Sequence, residues 1–236
     1  MTKERSHRLV TLAFSHYNEK ARWSLDWCGI AYDEKAYLPG FSQLGVMMAT
    51  RGRGGKADAV SSKFSAPIFI TSGGEELCDS TDIAEWASKQ IGSGGPGPLF
   101  PTQDVREIVI DLGRNLGPYT RLVAYARAFR SETAMHTMAK KNVGRAQALA
   151  FRVLMPIGKP LLAKKLGVTK EGEARAVERV REQIRKMDAR LEKTPSRRRT
   201  IHRCRHHARG ASGAHALGAA RRRHPHGLSV AEGARP

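Results

Sequence analysis

The sequence predicts a small α/β domain followed by an all-helical domain, and three observations lead to this fold class. Short apolar runs alternate with helical segments in the order β-α-β and then β-β-α, up to about Ile91. The stretch GSGGPGPLFP, Gly92–Pro101, is rich in turn residues and predicts a linker. Beyond it, apolar residues recur at helical spacing.

The first β-α unit begins with LVTLAF, Leu9–Phe14, a short apolar run that predicts a buried strand. SHYNEKARWSLDWCG follows and predicts a helix, because Ala21, Leu25 and Cys28 share one helical face. Gly29 is placed as its C-terminal stop.

The rest of this domain completes the pattern. IAYDEKAYL predicts a second strand, and the segment from Gly40 to Lys63, with RGRGGK inside it, predicts a loop with a weak helix. APIFI and EELCDS predict two strands joined by the turn TSGG. STDIAEWASKQI predicts a helix with Ile83, Trp86 and Ala87 on one face.

Two apolar stripes mark the helical half, which we expect to run from 102 to 195. Both have the spacing of three and four residues that amphipathic helices show. The first stripe consists of Val105, Ile108, Val109, Leu112 and Leu116, and the second of Val177, Val180, Ile184, Met187 and Leu191.

The composition changes sharply near Ser196. The chain carries a net charge of +19, and residues 196–236 hold ten arginines, no lysine and one acid, a net +9. The predicted organisation is therefore a first domain at 1–91, a linker at 92–101, a helical domain at 102–195 and a basic, disordered tail at 196–236.

The number of cysteines and the lack of a visible targeting segment indicate the cellular compartment. The three cysteines, Cys28, Cys78 and Cys204, are odd in number and widely spaced, which argues against a disulfide framework and for a reducing compartment. No signal segment or apolar span is visible, so we expect a cytoplasmic protein with no membrane partner.

Ser15 is the first candidate for chemistry, because it stands where the first strand passes into the first helix. A helix start attracts anions, and a hydroxyl there can donate to a bound thiolate and lower the thiol pKa. The simpler alternative is that Ser15 is only an N-cap, a position that serine favours.

Two further junctions carry candidates. Pro67 begins a predicted strand, where it is either a trans edge proline or a cis proline that turns the chain toward a ligand. Asp79 and Ser80 stand at the next strand-to-helix junction as N-caps, beside N–H groups that could hold a carboxylate.

Taken together, these segments resemble the soluble glutathione transferases. LAFSHYNEKARWSLDWCGIAYDEK, SAPIFI and EELCDSTDIAEWA follow the order and spacing of that family's thioredoxin-like domain, and the likeness extends over residues 8–195. The resemblance implies a thioredoxin-like domain followed by the family's helical domain.

The resemblance also implies roles for single residues. Ser15 matches the group that faces the glutathione sulfur in serine- and cysteine-type members. Ala66 and a cis Pro67 would present backbone to the cysteinyl part, and Asp79 and Ser80 would hold the γ-glutamyl end.

The resemblance leaves more than one candidate for the glycine end of glutathione and for the acceptor site. Lys63 or Lys56 could reach the glycine carboxylate of glutathione, and Tyr119 and Tyr125, on the first helix of the second domain, are candidates for the acceptor site. Glutaredoxin-like relatives have Cys-x-x-Cys where this chain has Ser15-His16-Tyr17-Asn18, so dithiol redox chemistry is not expected.

The function implied is a cytosolic, homodimeric glutathione transferase. It would take glutathione as co-substrate and a hydrophobic electrophile as second substrate, without a metal and without a specific nucleic acid. Two alternatives remain: a non-catalytic or stress-related glutathione-binding protein of the same fold, and a basic-tailed interaction protein.

The tail departs from the family, whose members continue with a buried helix that opens with a Ser/Thr-x-x-Asp capping box. Read one base out of step, codons compatible with 201–208 can spell Phe-Thr-Ala-Ala-Asp-Ile-Thr, which contains that box. We therefore interpret the tail as a frameshifted translation that disrupts the end of the helical domain.

Two other interpretations of the tail stay open. Cys204, His202, His206 and His207 are potential zinc ligands, although their spacing matches no common finger. Ten arginines are compatible with a nucleic-acid arm.

Overall fold

The computed structural model describes residues 6–55, 62–92 and 95–192. The basic tail from Ser196 onward and Lys56 lie outside them, as do the predictions made on those residues. The strands are β1 His7–Leu12, β2 Tyr32–Tyr37, β3 Ile68–Ile70 and β4 Glu76–Leu77. The helices are α1 His16–Trp27, α2 Ser42–Ala49, α3 Ser80–Lys89, α4 Gln103–Asn115, α5 Gly117–Ala128, α6 Glu132–Asn142, α7 Arg145–Leu166 and α8 Lys170–Glu192.

The four strands form one mixed sheet in the order β2-β1-β3-β4. β1 and β2 are parallel, with α1 as the crossover between them, whereas β3 is antiparallel to both β1 and β4. This is the predicted βαβ-ββα arrangement, followed by helices α4 to α8.

Both faces of the sheet are covered, because successive side chains of a strand point to opposite faces. On one face Leu9 and Phe69 pack with Leu25 of α1 and Ile83 of α3. On the other face Val10, Ile68 and Ile70 pack with Val46 of α2, completing three layers. These inward positions explain why the strands read as apolar runs.

The first predicted strand is displaced from its predicted bounds. β1 runs from His7 to Leu12 instead of Leu9 to Phe14, because Phe14 adopts φ 63° and the chain turns there toward α1. The predicted stop of α1 is confirmed, since α1 ends at Trp27 and Gly29 follows with φ +69°.

Contacts divide the described chain into two compact units. The first comprises the described part of 6–101 together with 132–158, and the second comprises 102–131 with 159–192. Within the first unit, Gln147 of α7 accepts a hydrogen bond from the Leu38 backbone N–H at 2.7 Å, a contact that the linker-based domain prediction did not include.

In the second unit α5 packs along α8, and Arg130 pairs with Glu173. Tyr119 and Tyr125 lie on α5 and not on the first helix of this half, because Gly117 and Pro118 start a new helix after α4. Ile184 of the predicted α8 stripe is 51% exposed.

Candidate functional site

The register of the sheet brings the three predicted junctions to the same end. β3 runs antiparallel to β1 with Val10 opposite Ile68, so Pro67 lies beside the carboxyl end of β1, from which the chain leads to Ser15. β4 runs antiparallel to β3 with Phe69 opposite Leu77, which directs Asp79 to that end as well. Residues that are far apart in the sequence therefore lie at the same end of the sheet.

Ser15 stands at the N-cap of α1 with extended backbone angles of φ −95° and ψ 125°. Its carbonyl accepts from Asn18 N at 3.0 Å and Glu19 N at 2.9 Å, so the backbone starts the helix. Its side chain makes no capping hydrogen bond. The N-cap position is confirmed, but capping does not use the hydroxyl that we considered for thiolate binding.

Asn18 supports the turn that carries Ser15. This side chain is fully buried, and its Oδ1 accepts from the Leu12 backbone N–H at 3.1 Å, across the turn that contains Phe14. Its Nδ2 has no hydrogen-bond partner within the described structure. The Asn18 amide thus joins the end of β1 to the first turn of α1, next to the candidate site.

The Ala66–Pro67 peptide bond is cis and Pro67 is buried, which resolves the cis-or-trans alternative. The preceding loop passes close to the Gly-rich segment, where Gly55 N donates to Lys63 O at 2.7 Å. Gly54 adopts φ +63°, and a Cβ on Gly55 would lie 2.5 Å from the Cβ of Cys78. The glycines of RGRGG thus allow this segment to pass next to the loop that leads to Asp79.

Lys63 is exposed on that loop, with its Nζ 5.5 Å from the centre of the Phe64 ring. An exposed, flexible ammonium at this position can approach a carboxylate without a change in the backbone. Lys63 therefore stays available as a ligand contact, and no carboxylate among the described residues pairs with it.

Asp79 is the N-cap of α3, and its Oδ1 accepts from Thr81 N at 2.6 Å. Ser80 begins the helix and is almost completely buried. The predicted capping role of Asp79 is confirmed, and Ser80 lies at the start of a ten-residue helix whose dipole favours a negative group.

A buried network fixes α1 against the sheet. Arg22 donates to Glu34 Oε1 at 2.8 Å and to Thr11 Oγ1 at 3.1 Å, and Thr11 donates to the same Glu34 oxygen at 2.6 Å. Burial disfavours the charge of Arg22, but its hydrogen bond and ion pair with Glu34 raise the guanidinium pKa. The helix that carries Ser15 is therefore held to β1 and β2 by an ion pair.

Sequence reasoning missed Asn18 and Lys20 as parts of this region. Lys20 Nζ donates to Thr81 Oγ1 at 2.8 Å, joining α1 to the start of α3. Asn18 gave no recognisable signal, because its hydrogen bond with the Leu12 backbone N–H forms only in the folded turn before α1. Lys20 had none, because its partner is 61 residues away along the chain.

The thiols of the described chain lack the features of reactive cysteines. Burial raises the pKa of Cys28, and burial followed by Glu76 and Asp82 raises the pKa of Cys78. The described ranges contain no cluster of His, Cys, Asp and Glu that could hold a metal ion. No helix in the same ranges has both the length and the apolar character to cross a membrane.

Comparison with known proteins gives matches at the level of structure. No family model matches the sequence. No curated protein matches it either. A glutathione S-transferase of Ceriporiopsis subvermispora, solved with glutathione, matches with a TM-score of 0.50 and 14% identity over 80% of this chain and 74% of that one.

A second solved structure, a glutathione S-transferase of Methylobacillus flagellatus with glutathione bound, matches with a TM-score of 0.43 and 16% identity. That match covers 80% of this chain and 71% of the other. At these identities the likeness concerns the fold, and of these two matches the first has a TM-score that supports it. The chain has the fold of the glutathione transferases, a thioredoxin-like unit with a mixed four-stranded sheet followed by helices.

Proposed function

We propose that this chain binds glutathione and acts as a glutathione transferase. The observation that carries the proposal is the convergence of Ser15, the cis Ala66–Pro67 bond and the Asp79–Ser80 junction at one end of the sheet. The glutathione-bound transferase of the same fold supports the choice of ligand. A tripeptide thiol needs contacts for its backbone, its amino-acid end and its sulfur, and in this proposal Ala66–Pro67, Asp79–Ser80 and Ser15 would supply them.

Each contact has a physical basis in the proposal. Ala66 and Pro67 would offer backbone groups to the cysteinyl residue, since they precede β3 beside the carboxyl end of β1. Asp79 would accept from the γ-glutamyl ammonium, and Ser80 with the start of α3 would receive its carboxylate. Lys63 would pair with the glycine carboxylate.

Ser15 would supply the chemistry. Its hydroxyl donates to the glutathione sulfur, and the positive end of α1 favours the anion, so both lower the thiol pKa and the proton leaves to solvent. The thiolate then forms a carbon–sulfur bond with an electrophilic carbon, whose leaving group departs with the electron pair. No other group of the chain has to change its protonation state.

The broader assignments belong to this proposal too. The second substrate would be a hydrophobic electrophile, the working form a cytoplasmic homodimer, and the domains those predicted at 1–91 and 102–195. Tyr125 is half-buried and makes an edge-to-face contact with Phe129, and burial raises its pKa, so we assign its ring to packing and not to the acceptor site.

The experiment is a comparison of wild type with Ser15→Ala. We expect the conjugation rate with an aromatic halide to fall roughly a hundredfold, as when one preorganised donor to a reacting anion is removed. Glutathione binding, measured by calorimetry, should change little. Ser72→Ala is the matched control, because this exposed serine follows β3 at the opposite end of the sheet.

The outcomes separate the candidate functions. Absence of glutathione binding in the wild type would overturn the proposal. Binding without any turnover that depends on Ser15 would favour the non-catalytic, glutathione-binding alternative. Loss of binding to a partner when residues 196–236 are deleted, while glutathione binding stays intact, would favour the basic-tailed interaction protein.

A further inference from the structure

Lys20 connects the two helices that approach the candidate site. It lies on α1, in the second turn after Ser15, and its side chain is half-buried. Its Nζ donates to Thr81 Oγ1 at 2.8 Å. Thr81 in turn donates its backbone N–H to Asp79 Oδ1 at 2.6 Å, so the ammonium lies one residue from the Asp79–Ser80 junction.

Three carboxylates act on this ammonium. Burial lowers the pKa of Lys20, and the carboxylates of Asp79, Glu85 and Asp82 oppose that shift. A lysine gives up solvation only where another interaction compensates. Its placement here offsets the charges of Asp79 at the N-cap, Asp82 in the first turn and Glu85 further along α3.

The balance between the Lys20 charge and these carboxylates affects how the junction binds a ligand with an amino-acid end. An ammonium on the ligand is attracted by Asp79, but a carboxylate on the same carbon meets the field of Asp79, Asp82 and Glu85. The start of α3 offsets part of this repulsion, although Asp79 already occupies the Thr81 N–H. A nearby cation is needed to make the junction accept both charges of a zwitterion.

We propose that Lys20 is a specificity-determining residue that makes the Asp79–Ser80 junction accept the α-carboxylate of a zwitterionic amino-acid end. It acts through its charge and by positioning Thr81, without taking part in the reaction. This inference rests on the proposed glutathione site, and it concerns the ligand carboxylate alone.

Two ligands and one substitution test this role. The ligands are glutathione and γ-aminobutyryl-cysteinylglycine, which is glutathione without its α-carboxylate. Lys20→Gln removes the charge but keeps a donor for Thr81. We expect this variant to bind glutathione about tenfold more weakly, the effect of losing one charge pair of moderate strength, and to bind the analogue with less than a twofold change.

Two controls separate charge from structure. Lys20→Arg keeps the charge and should retain the wild-type preference for glutathione over the analogue. Lys89→Met removes an equal charge from the exposed far end of α3 and should leave both affinities unchanged. The apparent pKa of the bound thiol, measured by its ultraviolet absorbance, should be the same in Lys20→Gln and wild type, because Ser15 is untouched.

The possible results are distinguishable. Equal weakening of both ligands by Lys20→Gln, or no weakening of either, would overturn the role of Lys20 and leave the glutathione site standing. Wild type that binds neither ligand would overturn the proposed function and this inference together. If Lys20→Gln does not fold, Lys20→Met carries the same expectations for the two ligands.

Discussion

Arg22 and Glu34 meet inside the first unit, where both side chains are at most 8% exposed. Breaking such a pair leaves one charge buried and unpaired, whereas replacing every member by apolar groups of similar size can be close to neutral. The network with Thr11 therefore sets the orientation of α1 more than it adds net stability. That orientation decides where Ser15 lies at the end of the sheet.

Glu34→Gln should lower the free energy of unfolding by about 1.5–3 kcal/mol, because the buried Arg22 guanidinium then keeps only Glu19, whose side chain is 43% exposed, as a counter-charge. Chemical denaturation followed by circular dichroism measures this loss. The triple variant Arg22→Met, Glu34→Leu and Thr11→Val should recover most of it. A Glu34→Gln protein as stable as wild type would show that the ion pair is not buried in the native state.

Glycines inside the helices of the second unit show how packing decides the effect of one methyl group. Gly172 of α8 faces the turn that precedes it, and a Cβ there would lie 2.4 Å from the backbone oxygen of Gly167. Gly113 of α4 has nothing within 4 Å of the same position. Gly172 is therefore required by a close backbone contact, whereas Gly113 has no such contact and only weakens its helix.

Gly113→Ala should stabilise the protein by up to about 1 kcal/mol, since alanine is the better helix former and the methyl group has room. Gly172→Ala should destabilise it by about 1–3 kcal/mol, because a backbone oxygen cannot move aside. Thermal melts should rank the melting temperatures as Gly113→Ala highest, wild type next and Gly172→Ala lowest. A Gly172→Ala variant that melts at or above the wild-type temperature would contradict the close approach.

Charge and exposed apolar surface dominate the molecule as a whole. Nine of its 19 net positive charges fall in 196–236, outside the described residues. α7 contains five basic residues and no acidic one. Its large apolar side chains that are 51–70% exposed are Leu149, Val153, Leu154, Ile157 and Leu161. A contiguous apolar face of this kind limits solubility unless another surface covers it.

Val153→Gln combined with Ile157→Gln should therefore raise the concentration at which the protein remains in solution, with little change in the melting temperature. Exposed side chains contribute little to the folded state, so removing their apolar atoms costs little. Light scattering and a thermal melt measure the two effects. A large fall in the melting temperature would show that this face is buried in the native protein.

A frameshifted tail would affect the stability of the whole molecule. If the tail replaces a core helix, the second unit lacks apolar partners, and the chain as written should show low stability and low activity. One DNA read across the codons of Pro195 and Ser196 tests this directly. An intact frame whose codons do not spell the capping box would contradict it.

Local patterns by themselves determined the order of strands and helices, the stop at Gly29 and the candidate junctions at Ser15, Pro67 and Asp79. They could do so because strand and helix periodicity, glycine stops and capping residues act over a few neighbours. The same local patterns misplaced the ends of β1, because the chain turns at Phe14, where φ is 63°, into the start of α1.

Tertiary structure alone decided how these junctions meet. The antiparallel register of β3 and β4 brings Pro67 and Asp79 to the end of the sheet that leads to Ser15, and Lys20 finds Thr81 only when α1 and α3 pack on the same face. Such contacts depend on pairing across long sequence separations, which no local pattern encodes. The sequence thus determined which groups could do chemistry, and the fold determined which of them lie at the same end of the sheet.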